Sequence, residues 1–354
     1  SLAAELNSRM GNWTNTLRAT YSFQDQPRST EYGDQPTVEI VMNDGQGQYP
    51  TWAMTGDDIF TAGNLTQTKN FVLTDEATVT LGRHRLTAGL QYEQRRAVNA
   101  FAQAAAGYYA YEATPEEVRQ GRWDDVFGRA PRVFAISYGN GADHSMFQAK
   151  MTTRLFSFYL QDEVALTDRL TLTGGLRLEH HDYPALKDNY NGEYHELDFG
   201  GCHFRTDNVP EASAGVSPRL GFRWDITGDN RYVLRGGTGL FVGRMPFVWL
   251  ISAVGNSGMG QTSYFYVSPD NEQSGNGAYA AAGDRYPALT TDRREMLAAI
   301  GAESRTSVPA GPTILSDKLR MPRTWKMSLA IDTRLPYDID FTLEGVYNRD
   351  MNPC

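Results

Sequence analysis

Trp325-Lys326-Met327-Ser328-Leu329-Ala330-Ile331-Asp332, and after the break at Leu335 to Asp338, Ile339-Asp340-Phe341-Thr342-Leu343-Glu344, alternate apolar with polar or small residues. Side chains on a strand repeat every second residue, so each segment presents one set on each face. Tyr347 and Asn348 carry the second segment further in the same phase. Four more pairs read the same way. Leu220, Phe222, Trp224 and Ile226 alternate with Arg219, Arg223 and Asp225, and Leu170, Leu172, Leu176 and Leu178 alternate with Thr171, Thr173, Arg177 and Glu179. Trp13, Leu17, Ala19, Tyr21 and Phe23 form one apolar row. Phe71, Leu73, Ala77, Val79 and Leu81 form another, and Leu86, Ala88, Leu90 and Tyr92 a third.

The spacing between these strands decides the class. Tight turns are expected at Met10-Gly11-Asn12, Gly82-Arg83-His84, Thr167-Asp168, Thr227 to Asn230 and Leu335 to Asp338. The connectors between the pairs run to roughly 30 to 80 residues, against about 2 to 5 for an ordinary hairpin loop. Short turns on one side and long loops on the other, with one apolar face, describe an all-β transmembrane antiparallel β-barrel segment of about ten strands. The turns are then periplasmic and the loops extracellular. Asp75 and Asp162 break the apolar row, each toward a tight turn, where a charge facing lipid costs least.

Composition is compatible with this reading and excludes others. Mean hydropathy is −0.48, and no apolar run is long enough for a membrane helix. The longest, Met245 to Val254, is too short. A barrel hides its membrane signal in alternation. The net charge of −9 argues against nucleic acid, which demands basic patches. Cys202 and Cys354 fit no metal-binding spacing, and a disulfide between them, other partners or free thiols are all compatible with the sequence.

If the turns are periplasmic, the first strand runs inward from the cell surface and the last returns to it. Both ends of residues 1–354 are then extracellular, so the chain reads as an interior part of one barrel domain, with further strands on both sides. Ser1-Leu2-Ala3-Ala4-Glu5 has neither a basic start nor an apolar run behind it. Asn352-Pro353-Cys354 lacks the terminal aromatic expected of a finished barrel.

The loops carry structure signals of their own. Thr114-Pro115-Glu116-Glu117 predicts a helix start, with threonine as cap, proline at the first position and acids on the positive dipole end. A short helix through Trp123 or Phe127 is expected there, and another from Thr291 to Ile300 with Asp292 near its start. Loop aromatics such as Tyr108, Tyr109, Trp249, Tyr264 and Tyr266 are candidates for contact with a peptide, glycan or chelate. Enzymatic and cofactor motifs are not found: there is no His-x-x-x-His pair, phosphate loop or nucleophile elbow, so the chain reads as a non-enzyme without a cofactor. Gly236-Gly237-Thr238-Gly239 sits inside a strand, where glycine permits close packing. His180 and His181 face opposite ways on a strand, which disfavours joint metal binding. Asp57-Asp58 and Asp124-Asp125 read as turn residues more readily than as calcium ligands.

The inward charges Arg177, Glu179, Arg219, Arg223, Arg235, Lys326, Asp332 and Glu344 are the candidate lumen set, poised to pair with a plug or touch a passing substrate. Trp13 and Trp224 beside the tight turns, and Trp325, Tyr347 and Phe241 toward the loops, are candidate aromatics for the two interfaces of a lipid bilayer.

The wording of several strands is more specific. Ser217-Pro218-Arg219-Leu220-Gly221-Phe222-Arg223-Trp224-Asp225, the turn Thr227-Gly228-Asp229-Asn230, and Gly239-Leu240-Phe241-Val242-Gly243-Arg244-Met245-Pro246 resemble TonB-dependent outer-membrane receptors, in the Oar-like group of Bacteroidota-type bacteria. Phe158-Tyr159-Leu160-Gln161-Asp162-Glu163 and Leu335-Pro336-Tyr337 before Leu343-Glu344-Gly345-Val346-Tyr347 extend the resemblance. It covers most strands from about residue 65 onward and few loop residues. The resemblance implies a barrel of about 22 strands closed by a plug, of which about twelve strands and the plug are not in this sequence. It also implies a transporter for a bulky nutrient, energised by the TonB complex, with a surface lipoprotein as a further partner. The competing reading is a surface enzyme or adhesin on a smaller barrel.

Overall fold

The computed structural model describes residues 1–30, 33–210, 215–269, 282–309 and 311–352. In chain order the first strands are β1 (Leu2–Met10), β2 (Trp13–Pro27), β3 (Thr37–Val41), β4 (Thr51–Thr55), β5 (Leu65–Leu81), β6 (His84–Ala100) and β7 (Tyr108–Glu112). Two short helices, α1 (Pro115–Gln120) and α2 (Trp123–Phe127), precede β8 (Val133–Gly139), β9 (Ala149–Ala165) and β10 (Leu170–Asp182). Then come α3 (Gly192–His195), β11 (Gly215–Asp225), β12 (Tyr232–Val242), α4 (Phe247–Gly255), β13 (Gln261–Val267) and β14 (Ala282–Gly283). The chain closes with α5 (Arg293–Ile300), β15 (Arg323–Leu335) and β16 (Ile339–Asn352).

Ten of these strands form one antiparallel sheet in the order β1-β2-β5-β6-β9-β10-β11-β12-β15-β16. We call it the wall. All five tight turns lie where the sequence places them. Gly11 and Gly82 open two of the turns with positive φ, the conformation a two-residue hairpin demands and glycine adopts without a Cβ clash. The turn after β11 is held by the buried Asp225, whose carboxylate accepts from the backbone N–H of Gly228 at 2.8 Å and of Asn230 at 2.9 Å.

Register fixes which residues share a face. Leu170, Trp224, Leu234 and Ile331 stand in one row across four strands, and Thr171, Arg223, Arg235, Ala330 and Glu344 in the next. The first row belongs to the apolar face, the second to the polar face. Gly236, opposite Phe222, supplies close packing, since a Cβ there would meet the Ser328 carbonyl at 2.8 Å and the Phe222 ring at 3.0 Å. The two outward acids have partners on their own face: Asn15 donates to Asp75 at 2.7 Å, and His84 Nδ1 lies 2.7 Å from Asp162.

At 17 residues each, β5, β6 and β9 exceed the roughly 9–11 that cross a bilayer. Their upper ends project beyond it and carry the loops. There the sequence reading falls short, because the long connectors fold into a second sheet of six strands, ordered β14-β13-β8-β7-β3-β4. It gathers three connectors and includes two parallel pairs, β3 with β7 and β13 with β14. Its core is Val38, Ile40, Tyr109, Tyr111, Phe134, Ile136 and Tyr266, closed by Met296, Leu297 and Ile300 of α5 and Val126 of α2. Both expected helix starts are present. Thr114 and Glu117 form a reciprocal capping box at α1, and Asp292 caps α5 by accepting from Arg294 N–H at 2.8 Å.

The apolar stretch at Met245 to Val254 becomes α4. Its Leu250, Ile251, Ala253 and Val254 pack with Met245, Tyr183, Leu186 and Met321 against Ala149 and Met151 of β9. Ala149 and Met151 share the phase of Ser157, on the polar side of the wall, so α4 folds inward over the mouth.

Candidate functional site

All eight charges singled out in the sequence lie on the polar face, in three separate groups. The Arg177 Nε donates to Glu179 at 2.9 Å, and its Nη2 donates to Gln91 and Ser157, each at 2.9 Å. Lower on the wall, Arg235 Nε donates to Asp332 at 2.8 Å, Glu344 lies 3.8 Å from the same guanidinium, and the Thr342 hydroxyl also donates to Asp332. Nearby, Arg223 donates to the Asn230 side chain at 2.8 Å.

Arg219 and Lys326 form the third group. Their charged groups lie 4.7 Å and 5.6 Å from the centre of the Phe241 ring, a geometry in which the ring face attracts cations. This corrects the placement of Phe241 among the interface aromatics. In the register it stands opposite Thr324, in the phase of Arg235 and Lys326, so it faces the polar side. The other four aromatics are on the apolar face and exposed. Trp325 and Tyr347 meet edge-on with ring centres 6.0 Å apart at the loop end, while Trp13 and Trp224 stand at the turn end.

Between these charges the polar face is nearly bare. Thr173, Gly221, Gly237 and Ser328 stand in one row across β10, β11, β12 and β15. With Gly175 and Gly239 they floor a groove of about 490 Å³, rimmed by Arg219, Phe241, Lys326 and Glu344. Another bridge crosses further round the wall, where the Tyr159 hydroxyl donates to Glu76 at 2.6 Å. It reaches across Gly89, where a Cβ would sit 2.2 Å from the ring.

The mouth holds the residues that sequence reasoning missed. Arg244, just after β12, forms a two-pronged pair with the buried Glu93 of β6 at 2.8 and 2.7 Å. The phase of Glu93 along β6 was legible, but its partner lies 151 residues away and no local pattern joins them. His181 turns inward, buried and stacked on Tyr183, while its neighbour His180 takes the opposite face, as the strand period requires.

Several proposed ligand-contact residues turn out to be core. Tyr109 is fully covered and Tyr266 nearly so, because their rings pack within the loop sheet. Tyr264 is committed to Arg285, and the Tyr108 hydroxyl to Glu39. Trp249 remains partly open. Burial pushes the Tyr111 hydroxyl up to about 12, so it is neutral in any physiological setting. Arg293 is locked inside the cap, donating to the carbonyls of Ala105, Ser137 and His144. The cap also carries a half-open pocket of about 290 Å³, lined by Phe101, Gln103, Asn256, Gln261, Phe265 and Pro309. Asp57 and Asp58 hold turns, accepting from Gln35 and Phe60 N–H, and Asp125 pairs with Arg122. Cys202 is exposed, and Cys354 lies outside the described residues.

An outer membrane beta barrel domain model matches residues 8–350. The chain belongs to that family. As a family member with a ten-strand wall it is an integral protein of the outer membrane. The outer membrane transporter YddB from Escherichia coli superposes with a TM-score of 0.53 at 10% identity, over 98% of this chain and 33% of that one. The siderophore receptor PirA from Acinetobacter baumannii gives 0.46 at 12% identity, over 98% and 34%. The chain therefore spans about a third of the length of these solved proteins. No curated protein matches it.

Proposed function

We propose that residues 1–354 form part of the wall and extracellular mouth of a TonB-energised transporter that imports a bulky nutrient. The observation that carries this reading is the division of the wall into an exposed apolar face and a charged inner one, topped by a folded cap that leans inward through α4. A small pore has no use for so large a folded mouth, whereas a ligand captured at the surface must be held before it passes. The fold shared with a solved outer membrane transporter supports the same view.

In this proposal the wall continues on both edges toward a plugged barrel of about 22 strands. The polar-face charges meet the plug more than the cargo, since most are already paired with one another. Trp13, Trp224, Trp325 and Tyr347 mark the two lipid interfaces. The strand wording quoted above supports an Oar-like member, with a surface lipoprotein as an additional partner.

The test is uptake by cells carrying the complete gene, using a panel of labelled peptides, glycans and metal chelates, with and without an uncoupler of the proton gradient. Accumulation of one class that stops on uncoupling is the expected result. Uptake that persists after uncoupling, or surface binding without accumulation, contradicts it and favours a passive or adhesive role.

A further inference from the structure

A small cavity of about 40 Å³ lies on the polar side of the mouth, beneath α4. Glu93, Arg95, Arg154, His181 and Arg244 line it, together with apolar Leu155, Met245, Phe247 and Leu250. Two nitrogens in this one cavity, Arg95 Nε and His181 Nε2, are buried with no protein partner. Native proteins rarely leave a buried polar atom unpaired, because the desolvation cost of about 1–3 kcal/mol is not recovered, and a charged group loses more.

The nearby acids cannot serve them. Both carboxylate oxygens of Glu93 are engaged by Arg244, and its distance to Arg95 Nη2 is a loose 3.6 Å. Asp182 stands in the opposite strand phase, on the apolar face, where it pairs with Arg154 at 3.0 Å. On the polar face two guanidinium groups, Arg95 and Arg244, therefore meet the single carboxylate of Glu93, which leaves one positive charge in excess beside an apolar lid. The next acid along β10, Glu179, is already paired with Arg177.

We propose that this cavity is a binding site for a small monovalent inorganic anion of the halide class. The pocket is half open, and its small volume suits a monoatomic ion or ordered water better than a larger anion. A water satisfies the hydrogen bonds but leaves the charge. A halide accepts from Arg95 Nε–H and from His181 in its Nε2–H form, and it balances the second arginine as well. The site ties β6 to β10 across β9 at the place where α4 seats, so its occupancy sets how firmly the mouth is held. The inference rests on the mouth itself and does not require that the protein be a transporter.

The experiment uses the full-length protein in detergent micelles. Crystals grown in bromide should show an anomalous peak between Arg95 and His181, and the thermal midpoint should be higher in chloride than in gluconate at equal ionic strength. Arg95→Gln should abolish both the peak and the chloride-dependent shift. A peak without anomalous signal means that water fills the cavity, and overturns the proposal. A bromide peak with no ion dependence of the wild-type midpoint marks an adventitious ion only, and overturns it equally. The wild-type measurements stand even if the variant fails to fold.

Discussion

In the wall, Leu90, Leu220, Leu329 and Leu343 are 55–63% exposed, whereas in the loop sheet Tyr109, Phe134 and Ile136 are fully covered. Both sheets are built from the same residue types. The difference is what lies against the apolar side. The loop sheet stands in water and closes its apolar side with α2 and α5. The wall leaves its apolar side open along every strand, which is stable only where the surrounding medium is itself apolar. Its mouth is the meeting point, where Ala149 and Met151 on the polar side of β9 are covered by α4 instead of facing water.

The largest expected effect separates the two sheets directly. Phe134→Ala should cost the loop sheet about 3–5 kcal/mol, the range for deleting a buried aromatic ring. Limited proteolysis should then cut within β7 and β8 while the wall remains folded. Leu220→Ala, on the exposed face, should leave both sheets intact. Equal sensitivity at the two positions would erase the distinction.

A charge probes the same contrast from the wall side. Leu329→Arg places a guanidinium on the apolar face near mid-strand and should destabilise the protein in a bilayer by about 2–4 kcal/mol. Ser328→Arg, one residue earlier on the polar face, should be close to neutral in the same unfolding titration in lipid vesicles.

A more local effect follows from Glu117. The backbone N–H of Thr114 and then the Arg129 guanidinium hold its carboxyl down at about 2, against an ordinary 4.5. Because the folded value is depressed, the stabilisation is present above pH 4.5 and is lost as pH falls toward about 2. Amides of residues 115–120 should lose protection, relative to their intrinsic exchange rates, over that interval, and Glu117→Gln should remove the pH dependence. The wall should show no matching transition in strand β2, whose exchange serves as the internal control.

The smallest effect concerns the polar face. The side chains of Arg235 and Asp332 are 41% and 35% exposed, so solvent screens the pair and a double-mutant cycle should give only about 0.2–1 kcal/mol. A much larger coupling would mean that the pair is shielded from solvent in the intact protein.

Much of the wall was legible because it obeys a local rule. Alternation of period two fixed the faces, and Gly11, Gly82 and Asp225 supplied turn chemistry within a few residues of the strands they join. The starts of α1 and α5 were legible for the same reason, in Thr114-Pro115 and Asp292. Phe241 was misplaced because its position near a strand end suggested an interface, while its phase, set by Thr324 opposite, put it among cations. The loop sheet was not legible. Its strands are two to seven residues long, and β3 finds its parallel partner in β7 beyond an entire wall hairpin. The mouth was hidden too, since Glu93 and Arg244 meet across 151 residues and no local pattern joins them.

Single-cysteine scanning of β15 from Trp325 to Asp332, in a Cys202→Ser, Cys354→Ser background and in intact outer membranes, tests the two-faced wall most directly. A membrane-impermeant maleimide should label positions 326, 328 and 332 and spare 325, 327, 329 and 331, with the buried 330 uninformative. Labelling without alternation, or with the opposite phase, would contradict the assignment of the apolar face to lipid.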